Sequence, residues 1–377
     1  MTPLVSSDLR RVILVDYYGA RITPDDGGRP LILDAFTRFL SNLATGVSLK
    51  GNVTTNQVKA PTAGAMPLII PRKLVTIYPG ESTPNMYWIE SIGLNANGVL
   101  THVPKGGSNL PVDRQPAEVG NVDVFSVDGG GSPRGSYGVR ITSGSNFMEI
   151  NDTSYLGFVT YRTTVNINGA WDIPPAIVAR GPYVVYARWD NTTTPLFLNR
   201  DNNRIECYTA FSNTAGSSIG GTVNNVKIVI ISCAFVPDLP SSGWGMVIRN
   251  AQNVVTFSSK YPPVIWRGGY FNFQFYRNFD TSGGEVLQWT GVTAPPGINI
   301  SQPMIPLCSI GVQRGDYSRS GGSWTYRPVL YSGFKMTGNQ VSSARAKSAG
   351  TDAPITLYVK AMQVACSIPC IDAADYF

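Results

Sequence analysis

Histidine is almost missing: His102 stands alone in 377 residues. That leaves no HExxH helix and no imidazole pair for a metal. It also leaves no credible serine–histidine–acid triad. A lone histidine just after the Asn97–Gly98 turn reads as polar surface. Charge is scarce too. Asp, Glu, Lys and Arg make up 14% of the chain, against about a quarter in ordinary globular chains. The net charge is +6, but the basic residues are scattered, with no cluster beyond adjacent pairs such as Arg10–Arg11. This reads as solubility charge and not as a nucleic-acid surface. No apolar run approaches the roughly 18 residues of a membrane-spanning helix. The start of the chain lacks a charged-then-apolar leader, so neither conventional secretion nor membrane insertion is expected.

Cysteine is sparse and dispersed. Cys207, Cys233, Cys308, Cys366 and Cys370 form no CxxC pair. A zinc site is not expected, and the thiols read as small buried hydrophobes in a chain made in a reducing compartment. No P-loop, EF-hand loop or GxGxxG followed by a helix is present. The Gly216–Gly220 run "GSSIG" has the spacing of a nucleophile elbow around Ser218. It lacks the following helix and a downstream histidine, so Ser218 reads as loop. Glu149, Asp152, Asp190, Glu206, Asp280 and Glu285 are the acids available for glycoside hydrolysis, which needs two of them face to face. They read as solvated surface acids. No catalytic, cofactor-binding or metal-ligating residue is assigned.

Turn formers are abundant. With 39 glycines, 27 prolines and 43% hydrophobic residues, the chain reads as many short strands around a substantial interior. Its length suits two or three domains. The stretch "SGWGMVIRNAQNVVTFSSKYPPVIW" (Ser242–Trp266) echoes "RGSYGVRITSGSNFMEINDTSYL" (Arg134–Leu156). With Gly138 set over Gly245, an offset of 107 residues, Tyr137 falls on Trp244, Ile141 on Ile248, Asn146 on Asn253 and Ile150 on Phe257. Each copy reads as an aromatic–Gly start, an apolar alternation, a polar turn and a second alternation, which is a β-hairpin signature. Strand-like runs then follow in the same order in both copies, enough for a β-sandwich each. A fainter hairpin echo spans Met86–Pro104 around Asn97–Gly98.

The expected fold class is therefore all-β, with tandem β-sandwich domains at 131–238 and 239–377. An N-terminal attachment region, mixed but mainly β, spans 1–130. Within it, Leu31–Gly46 has Leu33, Phe36, Leu40 and Leu43 at helical spacing and reads as the best helix in the chain. Val58–Leu74, interrupted by prolines, reads as an extended docking segment. Val236–Gly243 reads as the linker between the repeats.

Two features carry candidate contacts. In Gly268–Phe279, Phe271, Phe273 and Phe275 share one strand face and read as core. Tyr270, Asn272, Gln274 and Tyr276 share the other face and can meet a ligand or a subunit. The segment Gln313–Arg327, "QRGDYSRSGGSWTYR", has the composition of a recognition loop: amphipathic rings for area and small residues for fit. Its candidate receptor or subunit contacts are Arg314, Tyr317, Trp324 and Tyr326. The equivalent stretch of the first copy, Arg188–Arg204, adds Trp189. The Arg314–Asp316 tripeptide RGD is taken as coincidental.

The aromatic–Gly start, the hairpin through a short Asn turn and the following "FSSKYPPV" (Phe257–Val264) resemble the small β-domains of tailed-bacteriophage tail tips and tail fibres. Gly245, Val247, Asn250 and Phe257–Ser259 carry the match, with Ala251 where a turn glycine is usual. The first copy keeps Gly138 and Gly144 but has Ile150–Asn151–Asp152 in place of Phe-Ser-Ser. The resemblance implies a virion structural protein of the tail tip, baseplate or fibre, assembled in the host cytoplasm. It implies other phage tail proteins as partners and a homo-oligomer, a trimer being favoured. It also implies contact with a host envelope glycan or protein, no cofactor and no catalysis. The alternatives are a carbohydrate-binding module without a virion role and a tailspike glycan hydrolase.

Overall fold

The computed structural model describes residues 4–5, 11–13, 32–34, 38–61, 64–78, 85–106, 118–127, 138–143, 146–151, 156–209, 218–233, 235–239, 246–278, 286–287, 292–293, 300–314, 319–321, 324–354 and 361–377. They are almost entirely β-structure in several sheets. The helical pieces among them are one turn, Pro175–Val178, and a 3-10 turn, Ala373–Asp375. The all-β class follows from the composition, as expected.

Two strands define the middle of the molecule. Tyr183–Arg188 and Thr222–Ser232 pair antiparallel from Tyr183↔Ser232 to Arg188↔Lys227. Along the second strand, Ile228 and Ile230 enter one hydrophobic core while Val229 and Ile231 enter another. Along the first, Val185 and Ala187 join the former core, and Val184 and Tyr186 the latter. All eight are essentially inaccessible to solvent. A strand buried on both faces reads as a continuous apolar run with no polar alternation. That is why "VKIVIIS" and "YVVYA" stand out in a chain otherwise rich in polar turns.

The wall lies within a 13-stranded sheet. On one side Phe158–Asn168 pairs with Thr222–Ser232. On the other, Tyr183–Arg188 pairs with Pro303–Pro306 through Tyr186↔Pro306 and Ala187↔Ile305. Asn191–Asn199 pairs with Trp324–Thr337, which pairs in turn with Gln340–Pro354. The sheet therefore crosses the expected border at 238/239. Across the border at 130/131, Phe39 and Arg38 pair with Ile265 and Trp266, and Ser41 bridges to Leu156. The larger core joins residues from Leu49 to Cys370. Residues of 1–130, 131–238 and 239–377 all contribute to both cores.

The repeat survives as a plan with altered details. Both echoed stretches are hairpins: Gly138–Ser143 with Asn146–Asn151, and Val247–Arg249 with Val255–Ser258. Their registers differ. Ile141 faces Met148, whereas Ile248 faces Phe257, and the second hairpin carries a bulge after Ile248. In each copy, the long strand after the hairpin pairs with a late strand of the same copy. Phe158–Asn168 takes Thr222–Ser232, and Tyr270–Asn278 takes Ala361–Pro369. The copies also meet through equivalent backbone. Gly157 falls on Val264 under the 107-residue offset, and Val264 N donates to Gly157 O at 3.0 Å beside the antiparallel bridge Phe158↔Pro263.

The helix expected over Leu31–Gly46 is not formed. Ile32–Asp34 and Arg38–Leu49 are strands. Arg38–Leu49 is flanked on both edges, by Ile265–Trp266 and by Gly120–Val127, and Met66–Lys73 completes this four-stranded sheet. Gly46, expected to end a helix, sits at φ +61° opposite a register shift between Val122 and Val124. It forms a bulge, pinned by Gly46 N donating to Asp123 Oδ1 at 2.9 Å. Helical spacing lost because two waiting sheet edges supply the segment's backbone hydrogen bonds.

A second four-stranded sheet runs Thr55–Gln57, Val99–Gly106, Asn85–Leu94, Val75–Tyr78. Its central hairpin turns through Asn95–Gly98 as the Asn-Gly pair foretells. Gly98 adopts φ +77°, and Asn95 Oδ1 accepts from Asn97 N and Val99 N. A Cβ at Gly98 would stand 2.6 Å from Val58 O. Gly98→Ala is accordingly expected to cost about 1–3 kcal/mol, read as a lowered urea midpoint with unchanged slope. An unchanged midpoint would contradict this turn geometry.

Candidate functional site

The recognition segment Gln313–Arg327 is built on the longest hairpin of the large sheet. Val312–Arg314 lies along the middle of Trp324–Thr337, with Arg314 opposite Val329. Arg319–Gly321 continues in the same direction along that strand, placing Arg319 opposite Tyr326 and Gly321 opposite Trp324, so the chain reverses between Gly321 and Trp324. Tyr326 also faces Pro354 on the other edge. The backbone thus brings Arg314, Trp324 and Tyr326 to one end of one sheet. Tyr317 lies outside the described residues, as do Gly315 and Asp316 of the RGD tripeptide.

Trp189 does not join them. It is 2% exposed and belongs to the larger core. The stretch Arg188–Arg204, read as an exposed loop, is mostly the strand Asn191–Asn199. It turns tightly through Asn203 at φ +50° and returns as Arg204–Cys207. Pro195–Asn199 is buried. Trp189 follows directly on the buried wall strand, so its ring continues the interior. The expected contact role of Trp189 is corrected to a packing role.

The ionisable side chains inside the molecule are tied to structural partners. Glu206 is fully buried. Its carboxylate accepts from Tyr208 Oη at 2.6 Å, Arg204 Nε at 2.7 Å and Asn199 Nδ2 at 2.8 Å. Burial pushes its pKa up, but these hydrogen bonds outweigh burial and hold it below the usual range. Burial and the same carboxylate push the Tyr208 phenol far upward. Asp123, also fully buried, accepts from Arg72 Nε at 2.8 Å as well as from Gly46 N. Asp372 accepts from Ser301 N, Gln302 N and Ala374 N, tying the C-terminal turn to the sheet. Burial lowers Arg200 to about 10 where its guanidinium lies 5.5 Å over the Tyr183 ring.

Of the acids considered for glycoside cleavage, Glu206 is locked in this network and Asp190 is exposed beside Gly338. Glu149 is described by its backbone alone, and Asp152, Asp280 and Glu285 lie outside the described residues. Ser218 is exposed just before the bridge residue Ile219, with Ser218 N donating to Thr209 Oγ1 at 3.3 Å. His102 corrects another expectation. It is 3% exposed, with Nε2 2.8 Å from Lys50 O, and is part of the interior. Among the described residues no group of three or more His, Cys, Asp or Glu side chains is placed to hold a metal.

The aromatic strand alternates as its sequence requires. Phe271, Phe273 and Phe275 are 0%, 3% and 0% exposed, while Asn272 and Gln274 face solvent. Tyr270 is held between these states, edge-to-face with Trp266 at 5.2 Å between centroids. The Tyr276 side chain lies outside the description. The five cysteines are free thiols; Cys366 is half-buried and the other four are buried.

Residues 19–353 match the model of a family of unknown function (DUF6453). No curated protein and no solved structure matches the chain.

Two measurements check this account. Glu206→Gln is expected to lower stability by about 1–3 kcal/mol at neutral pH. Because the folded pKa of Glu206 lies below its unfolded value, the difference from wild type should be full above the unfolded value. It should vanish as pH falls through the folded one. A difference independent of pH would refute the assignment. For the thiols, burial drives Cys207 to about 11 and Cys366 and Cys370 to about 12, with Cys233 and Cys308 also raised. A disulfide reagent should therefore find at most Cys366 in the native protein and all five thiols after denaturation. Rapid native reaction of several thiols would contradict the burial.

Proposed function

We propose that this chain, a member of the DUF6453 family, is a virion structural protein of a bacteriophage tail tip, baseplate or tail fibre. It works as a homo-oligomer among other tail proteins, and its 313–327 hairpin meets the host cell surface or a neighbouring subunit. One observation carries the reading. The largest sheet extends into a hairpin whose segment is made of Arg, Tyr, Ser, Gly and Trp, anchored by a body in which three sequence segments share their cores. A rigid interlocked body that presents an amphipathic hairpin suits attachment, where force passes through the protein and contact is made at its edge. The buried acids support a non-catalytic role, since Glu206, Asp123 and Asp372 are each occupied by structural donors.

The test is binding of labelled protein to a panel of bacterial strains, with released reducing sugar assayed in the same tubes. Saturable binding to at least one strain without sugar release is expected. Trp324→Ala should weaken that binding by about tenfold or more at unchanged thermal stability. Sugar release would replace the reading with a glycan hydrolase. Absence of binding to every strain would remove the host-contact role.

A further inference from the structure

A cleft of about 620 Å³ opens where three strand segments converge, with no residue of 313–327 among those described as lining it. That volume lies within the roughly 300–1,000 Å³ of small-molecule sites. One wall is Pro67–Pro71 of the edge strand Met66–Lys73. A second is Ile92–Leu94, at the end of Asn85–Leu94. The third is the strand pair carrying Tyr270 and Asn272 opposite Ala365–Ser367.

The cleft has two chemistries. The first two walls are aliphatic and prolyl. On the third, Asn272 and Ser367 are cross-strand partners, both exposed, and Ser367 Oγ donates to Asn272 Oδ1 at 2.7 Å. With Oδ1 engaged by Ser367, the Asn272 amide keeps Nδ2 as a donor. Tyr270 is anchored by Trp266 and by its hydroxyl, which donates to Met66 Sδ at 3.5 Å. Among the described residues no charged side chain lines the cleft, so none of them compensates an anionic or cationic ligand.

Among the described residues the outer edge of Met66–Pro71 carries no strand, Lys73 being bridged to Ser309, and its prolines refuse a guest strand. A proline within a sheet must turn its nitrogen away from the ladder. Pro67 and Pro71 therefore point their nitrogens at the open edge, in step with Ile69. Of these alternate positions only Ile69 brings an N–H, too few for strand addition. What fits is a small, uncharged molecule with apolar faces and hydroxyl edges.

We propose that this cleft binds a neutral oligosaccharide, with sugar ring faces against Pro67, Ile69 and Tyr270 and sugar hydroxyls on Asn272 and Ser367. The site does not rest on a virion role for the chain. It is tested by titrating the full chain with maltotriose, cellotriose and chitotriose, using calorimetry and intrinsic tryptophan fluorescence. At least one trimer should bind one to one. Asn272→Ala should weaken it about tenfold, while Gln274→Ala, one step further along the same exposed face and outside the cleft, should leave it unchanged. Asn272 is exposed, so its loss should not affect folding, and an unchanged melting temperature verifies this. No binding by any of the three trimers overturns the proposal, as does equal binding by Asn272→Ala. Binding of an alternating Thr-Val hexapeptide that is lost in Asn272→Ala, with no response to sugars, would make the cleft a strand-addition site instead.

Discussion

The structure depends on the antiparallel pair Tyr183–Arg188 and Thr222–Ser232 being buried on both faces. Alternate residues of these strands enter opposite cores, so the pair is a shared wall. Ile228 and Val185 help hold one core, and Val229 and Tyr186 the other. Tyr186 also donates its buried hydroxyl to Pro369 O at 3.2 Å, tying the wall to the far end of the chain. A void in such a wall loosens two interiors at once, because neither core can close around it without disturbing the other.

From that wall the rest follows by sharing. The N-terminal strand Arg38–Leu49 sits between the strand from Ile265–Trp266 and the strand Gly120–Val127. The C-terminal residues return to it, with Ile265 N donating to Tyr376 Oη at 2.9 Å and Arg267 paired with Asp375 through two hydrogen bonds. Fully buried carboxylates appear where strands must be held out of regular register. Asp123 pins the Gly46 bulge, and Glu206 gathers Asn199, Arg204 and Tyr208 around the Asn203 turn. Leaving either acid unpartnered inside would cost far more than its hydrogen bonds contribute. This is a structural use of charge, in a chain that carries little of it.

Hairpins were the most legible elements. Asn97–Gly98 announces a turn that needs positive φ, and the chain turns there. The Phe271–Phe275 alternation likewise announces its buried face, and the exposed face holds Asn272. The candidate contacts were only partly legible. Arg314, Trp324 and Tyr326 are brought together because their segment folds as one hairpin. Trp189 was misread because polar neighbours such as Asp190 and Asn191 made a strand-to-strand connection look like an open loop. His102 was misread for a related reason: its place in a hairpin says nothing about which layer covers that hairpin. The cleft beside Tyr270 left a local signal in the polar row, but its other two walls come from residues about 180 to 200 positions away, and no spacing rule links them.

The sequence by itself determined the class. Few charges, frequent Gly and Pro, and period-two alternation admit little except short strands and tight turns, because those choices rest on local backbone geometry and side-chain alternation. Tertiary structure decided the rest. It made Arg38–Leu49 a strand against its own helical spacing, joined strands of both repeats in one large sheet, and chose which aromatic rings meet solvent. Those outcomes depend on which sheet edges lie open when a segment arrives. That is a property of residues far away in the chain, since a backbone hydrogen bond across a sheet is indifferent to the sequence distance it spans.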